Sequence, residues 1–289
     1  MENIFEKYLM EVDEASIQDE LKRINEKARD YKTLDVLKKC FASIDLTTLN
    51  ATDTPSKVRE LTEKVNDFDN HFTDIPHVAA LCVYPSLAPV VKQTLKIEGV
   101  KIAITAGGFP ASQTFIDVKV AECMLSMQKG ANELDVVISL GNFLDGDYET
   151  VFNEIDRMNR SIDDAYLKVI LETGAIKDLS KIRLASFLAM EAGAKIIKTS
   201  TGKLEPAATP EAFLVMAQAV KDYHKATRRV VGLKSAGGIV TTDDTLLYYS
   251  IVKNTLGEAW LIPEYFRIGA SRLANNLLAD ITGQTVNYF

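Results

Sequence analysis

LKVILETGAIKDLSKIRLASFLAMEAGAKIIKTSTGK, residues 167–203, decides the fold. Two apolar runs, LKVILE (167–172) and AKIIKT (194–199), bracket a helical pattern. A strand, a helix and a second strand at this spacing form the repeating unit of a parallel sheet. Neither run alternates strictly between apolar and polar residues, which suits strands covered on both faces. The same unit recurs along the chain. FASIDL (41–46), AALCVY (79–84), KIAITA (101–106), NELDVVI (132–138), VVGLKS (230–235) and FRIGAS (266–271) complete eight candidate strands.

The intervals carry helix-start signals such as Asp53-Thr54-Pro55, Thr209-Pro210-Glu211 and Thr241-Thr242-Asp243-Asp244. Eight alternations predict an α/β protein of the (β/α)8 TIM barrel type, with an open doubly wound sheet as the structural alternative. Residues 1 to about 40 read differently: Ile17, Leu21, Ile24, Ala28, Tyr31, Leu34 and Leu37 fall at helical spacing with charges between them and no Gly or Pro. The expected organisation is an N-terminal helical extension over 1–40 and a barrel over 41–289 that ends in a C-terminal tail. The extension can cap the barrel or pair with a second copy in a homodimer, and nothing in its pattern chooses.

With 289 residues, 47% apolar and 25% charged, the chain is long enough to bury on the order of 75% of its unfolded surface without staples. Lys+Arg 33 against Asp+Glu 40 gives a net charge of −7, which repels polyanions and argues against nucleic acid or an acidic membrane as partner. An anionic ligand then needs a local pocket. Cys40, Cys82 and Cys123 form no CxxC pair and leave an odd thiol, as in a reducing compartment. The acidic, charge-broken N-terminus fits no signal or transit peptide, and no apolar run approaches the ~18 residues of a span. The expected location is cytoplasmic.

The strands carry charges where none belong. Alternate residues of a strand share a face, so Lys168 lies with Ile170, Lys198 with Ile196, Lys234 with Gly232 and Asp135 with Val137. An unpaired charge in a dry interior costs several kcal/mol, and one lysine at a strand end readily snorkels to solvent. Lys101 and Lys195, at strand edges, read as such solvated rim charges. Three amines and a carboxylate on neighbouring strands instead gather inside a barrel near its C-terminal rim, where sites of this fold lie.

Two ammonium groups a few Å apart disfavour each other's charge, and burial adds to the effect, so one lysine is partly neutral near pH 7 and nucleophilic. A neutral amine attacks a carbonyl to give a Schiff base; the protonated imine accepts electrons from a breaking C–C bond while a carboxylate and the second amine move protons. Metal-dependent aldol chemistry fits less well, because His71, His77 and His224 are scattered without HxH or HExxH spacing. The other half of the site is rich in glycine and hydroxyls: Thr199-Ser200-Thr201-Gly202-Lys203, Ala236-Gly237-Gly238 and Gly269-Ala270-Ser271. Such loops let backbone N–H groups approach an anion, and loops after strands seven and eight of a barrel often bind phosphate, which implies a phosphorylated substrate. A P-loop is excluded, since Ile197 occupies its first glycine position and Leu204 follows the lysine.

These residues resemble the deoxyribose-phosphate aldolase family. The likeness runs from about residue 43 to at least 272 through IDLTTLN (44–50), CVYP (82–85), ELDVVI (133–138), LKVILETG (167–174), IKTSTGK (197–203), KSAGG (234–238) and FRIGAS (266–271). It implies reversible cleavage of 2-deoxy-D-ribose 5-phosphate into D-glyceraldehyde 3-phosphate and acetaldehyde, with no metal or organic cofactor. It further implies that Lys198 is the Schiff-base nucleophile, that Lys234 perturbs it and relays protons, and that Asp135 works with an ordered water in proton transfer. Lys168 helps hold substrate or intermediate, and Asp45 joins the polar network with Lys234. Gly202, Lys203, Gly237, Gly238, Gly269 and Ser271 form the phosphate cradle, with Thr199 and Cys82 counted among the substrate-binding residues.

The chain departs from the family pattern in places. Ser235 replaces the proline of KPAGG, and Val240 stands where relatives often carry an arginine near the phosphate. Arg272, next to Ser271, is expected to supply that missing cation. Many relatives use a mobile C-terminal tyrosine in proton transfer, and Tyr288, behind Thr282-Gly283-Gln284, is the candidate here, against a frayed terminus without a role. The competing functions are another Schiff-base sugar-phosphate aldolase or a transaldolase, and a catalytically silent sugar-phosphate-binding barrel.

Overall fold

In the computed structural model, which describes residues 10–163 and 165–289, eight parallel strands close into a barrel in chain order. They are β1 (Ile44–Thr47), β2 (Ala80–Val83), β3 (Lys101–Ala106), β4 (Glu133–Val137), β5 (Tyr166–Ile170), β6 (Ile196–Lys198), β7 (Gly232–Ala236) and β8 (Phe266–Ala270). Closure through β1 and β8, with Asp45 opposite Gly269, removes the open-sheet alternative.

Alternate residues of each strand divide between two environments. Leu81 and Val83 belong to the large core under the helices, whereas Ala80 and Cys82 belong to a small separate cluster with Leu49 and Ala103 inside the barrel. Outward residues such as Leu134, Val136, Leu167, Val169 and Leu233 are fully buried against the helical shell, which supplies the apolar area that drives closure. The register carries the inward set from strand to strand: Asp135 pairs with Lys168, Ile170 with Lys198, Lys198 with Lys234, and Lys234 with Arg267. The shell helices start where caps were legible: the Thr54, Thr209 and Thr241 side chains accept from the Lys57, Ala212 and Asp244 amides, and Asp244 completes a capping box.

The ends of the molecule correct the sequence expectations. The expected continuous helix is two: Glu14–Ala28, capped by Asp13, and Leu34–Ala42, capped by Thr33. A 3-10 turn at Arg29–Tyr31 separates them, and the Thr33 cap starts the second in a new direction; the part of that expectation on residues 1–9 lies outside the described residues. The second helix runs to Ala42, so the strand expected from 41 begins at Ile44. Glu14–Ala28 buries Ile17, Leu21, Ile24 and Ala28 on helices Pro210–Thr227 and Thr242–Thr255 of the same chain, with Gln18 donating to Glu211 and Gln218 to Glu20. No described helix is long and apolar enough to cross a membrane.

Candidate active site

All the cavity's walls come from the C-terminal ends of strands or the loops that follow them. Thr47 ends β1 and Leu49 and Asn50 follow it, Lys198 ends β6 and Thr201–Lys203 follow it, Ala236 ends β7 and Gly237–Val240 follow it, and Gly269–Arg272 end β8 and open the last helix. Its volume of about 230 Å³ is below the ~300 Å³ floor usual for drug-sized ligands, so the occupant is small.

Lys198 is the lysine of the buried cluster that lines this space. Its residue exposure is 3%, whereas Lys168 and Lys234 are at 0% and lie beneath it. Asp135 Oδ2 accepts from both Lys198 and Lys234 at 2.7 Å, and Asp45 Oδ2 accepts from Lys234 at 2.5 Å and Lys168 at 2.7 Å. Asp135 Oδ1 lies 3.3 Å from Lys168 Nζ, in ion-pair range but outside hydrogen-bond geometry. At the base, Arg267 forks onto Glu133 at 2.7 and 3.0 Å and reaches Asp45 Oδ1 at 2.6 Å, while Lys168 lies 2.6 Å from Glu133.

The three amines differ in what surrounds them. Burial, the largest influence on Lys198, lowers its pKa; Asp135 pulls the other way, the Lys234 ammonium adds to the lowering, and the net shift is downward from 10.5. Burial also opposes charge on Lys234 and Lys168, but their carboxylate partners outweigh it and both shift upward. Burial works against the Asp45 and Asp135 carboxylates too, and the ammonium groups around them overcome it, so both stay ionised well below the usual range. The amine that meets the cavity is thus the one whose charge is disfavoured, while Lys168 and Lys234 are held as ammonium ions.

The loop over the cavity is clamped from two sides. Glu172, buried at φ +57°, accepts from the Thr201 amide at 3.1 Å and the Thr201 hydroxyl at 2.5 Å. On the β7 side, Gly237 at φ +83° packs where a Cβ would lie 2.5 Å from the Ala207 Cβ and 3.3 Å from the Gly202 Cα. The Gly202 and Gly237 backbones therefore pack closely where a side chain on Gly237 would collide with Ala207, so both loops present bare backbone at the cavity rim. Lys203, whose Nζ donates to the Leu49 carbonyl, and exposed Arg272 bring cations to the same rim.

Residues 39–259 match the model of the DeoC/LacD family aldolases. This chain belongs to that family. The aldolase is 39% identical over 266 residues to a Homo sapiens protein named deoxyribose-phosphate aldolase, covering 87% of this chain and 81% of the relative. A Mus musculus protein of the same name is likewise 39% identical over 266 residues, with coverage of 87% and 81%. Among solved structures, the "Unique tetrameric structure of deoxyribose phosphate aldolase from Aeropyrum pernix" superposes with a TM-score of 0.67 at 25% identity, covering 89% of this chain and 96% of the other.

The structure brings Lys198, Lys234, Asp135, Lys168 and Asp45 into one network and places Gly202, Lys203, Gly237, Gly238, Gly269, Ser271 and Arg272 around one cavity. Four of the expected site residues lie apart from the open cavity. Thr199 does not line the cavity: it is fully buried, and its hydroxyl bonds to the backbone of Ala236, tying β6 to β7. Cys82 lies inside the barrel with Ala80 and Ala103, below the cavity lining, where burial pushes its thiol pKa up. Lys168 is enclosed by three carboxylates and faces no open space.

Tyr288 lies elsewhere. Its hydroxyl donates to the Lys64 carbonyl at 2.7 Å, and its ring packs edge-on against Phe68 and Phe72. Lys64 is near the far end of helix Pro55–Asn66, roughly 14 Å along its axis from the end that follows the cavity. Asn275 holds the tail there, donating to the Phe289 carbonyl and accepting from the Tyr288 and Phe289 amides.

Glu133, Arg267, Glu172 and Thr201 were quoted within motifs without being given a role, and the structure puts all four in or around the site. The alternation that singled out Asp135 reaches Glu133 two residues earlier, and the same spacing from Gly269 reaches Arg267.

Proposed function

We propose that this chain is a class I aldolase that reversibly cleaves 2-deoxy-D-ribose 5-phosphate into D-glyceraldehyde 3-phosphate and acetaldehyde, with Lys198 as the Schiff-base nucleophile. The observation that carries this reading is that the amine with the lowered pKa is the one that meets the cavity, beside a glycine-lined rim. Neutral Lys198 adds to C1 of the open-chain sugar, and loss of water leaves a protonated imine. Removal of the C3 hydroxyl proton breaks the C2–C3 bond, and its electron pair moves onto the imine to form an enamine as glyceraldehyde 3-phosphate departs. Protonation at C2 and addition of water then release acetaldehyde and restore the amine. Asp135, touching Lys198 and Lys234 through one oxygen, is the group placed to pass protons along this path, and the Lys168 ammonium first, with those of Lys198 and Lys234, keeps it ionised against burial. Lys203, Arg272, Gly202, Gly237, Gly238 and Ser271 hold the phosphate.

The test is turnover of purified protein on 2-deoxy-D-ribose 5-phosphate, read as release of both products. In the condensation direction acetaldehyde is accepted and dihydroxyacetone phosphate is not; the reverse preference assigns another Schiff-base aldolase, and no turnover in either direction leaves a binding barrel. The catabolic use of deoxyribose phosphate in the cytoplasm belongs to this proposal, supported by three buried free cysteines. A homodimer is proposed on the exposed apolar residues Val118, Met124 and Leu125 along helix Ile116–Gln128, and sedimentation of the purified protein checks it.

A further inference from the structure

The inward faces of the barrel carry an unequal charge. Among the described residues, the network holds four cations, Lys168, Lys198, Lys234 and Arg267, against three carboxylates, Asp45, Glu133 and Asp135. Fully protonated amines therefore leave one positive charge in excess in a dry interior, where an uncompensated ion costs several kcal/mol. Shedding one proton removes the excess, and the contacts decide which. Arg267 keeps its proton because a guanidinium does not ionise in this range. Lys168 has three carboxylate partners, at 2.6, 2.7 and 3.3 Å, and Lys234 has two, at 2.5 and 2.7 Å. Lys198 has one, at 2.7 Å, and so loses least when it becomes neutral.

Glu133 and Arg267 face neither the cavity nor each other alone. Arg267 occupies Asp45 Oδ1, and Glu133 draws Lys168 toward the floor, which leaves Asp135 Oδ2 to be shared by Lys198 and Lys234. We propose that Glu133 and Arg267 are positioning residues that set the proton count of the buried network, so that Lys198 is the amine that stands neutral and reacts. The inference rests on the aldolase reading. Groups facing Lys198 are Asp135 on β4, Lys234 on β7 and Cys82 on β2. Those near the floor pair are Asp45, Lys168 and Tyr166 within the barrel and His77, Glu98, Lys101 and Glu264 around the opening beneath it.

The expected effects have opposite signs. Arg267→Met leaves three amines against three carboxylates; Lys198 then keeps its proton, and the rise of activity with pH moves to higher pH. Glu133→Gln leaves four cations against two carboxylates, and the rise moves to lower pH. The Cα positions of Lys198 and Arg267 are two strand spacings apart, about 9.5 Å, because Lys234 pairs with both. A unit charge at that range and an effective dielectric near 20 shifts the midpoint by on the order of one pH unit. The double variant E133Q/R267M restores an excess of one and returns the midpoint to the wild-type value.

The experiment is the pH profile of borohydride-trapped adduct formation with acetaldehyde, measured for wild type, both single variants, the double variant and Arg267→Lys. Arg267→Lys keeps the charge without the fork, and its midpoint is expected within a few tenths of wild type even where its rate falls. Wild-type protein that traps no adduct on Lys198 overturns the aldolase reading itself. A wild type that traps on Lys198 while the single variants shift the same way, or not at all, overturns the role given to Glu133 and Arg267. If one single variant does not fold, the other decides: a midpoint moved by about one unit in its expected direction supports the inference, and a midpoint that stays within a few tenths of wild type or moves the opposite way overturns it.

Discussion

On β4, Leu134 and Val136 point outward into the helical shell, while Glu133 and Asp135 point inward at an arginine and three lysines. Both faces are buried to the same degree, yet they are built from opposite chemistries. The outward face is apolar and its substitutions act through packing. The inward face is ionic, and its energy depends on every charge finding partners, so removing one member disturbs protonation across the whole set. The shell makes the barrel close; the interior disfavours charge on one amine and favours it on the other two. Small residues on the inward faces of β2 and β3, Ala80, Cys82 and Ala103, leave the space that the long ionic side chains fill.

That contrast predicts which substitutions cost activity and which cost stability. The largest effect is expected from Lys198→Ala, which abolishes turnover in a protein that still unfolds cooperatively. Asp135→Asn comes next, lowering turnover by about 10² to 10⁴-fold because the proton path loses its base. Leu134→Ala, one residue away but facing outward, costs about 2–5 kcal/mol of stability by denaturant titration and leaves the turnover of folded molecules unchanged; a large loss of turnover there would erase the distinction between faces. Arg272→Ala, at the cavity rim, raises KM for the phosphorylated sugar about tenfold with little change in kcat. An unchanged KM removes Arg272 from the phosphate site. The smallest effect belongs to Tyr288→Phe: kcat stays within about twofold, with stability lower by about 1 kcal/mol from the lost bond to Lys64.

The outward face was the legible one. Its apolar runs located every strand, because a strand covered on both sides leaves an unbroken hydrophobic signature. The inward lysines were legible for the complementary reason, as charges interrupting those runs. Arg267 and Lys101 show where this stops. Both stand at strand starts, yet Lys101 is exposed, while Arg267 pairs with Lys234 in the interior. The stagger of a closed barrel sets that depth, and one strand read alone does not contain it. The break at Thr33 was readable as a cap. The docking of Tyr288 was not, since it depends on Asn275 holding the tail from the last helix and on a ring cluster built by Phe68 and Phe72.

In the proposed reaction one amine, at the boundary between the ionic interior and the cavity, does the bonding. Borohydride reduction in the presence of acetaldehyde, followed by proteolysis and mass spectrometry, tests it most directly. An ethyl adduct is expected on the peptide carrying Lys198 and on no other lysine. An adduct on Lys168, Lys234 or Lys203, or turnover with no lysine trapped, contradicts it.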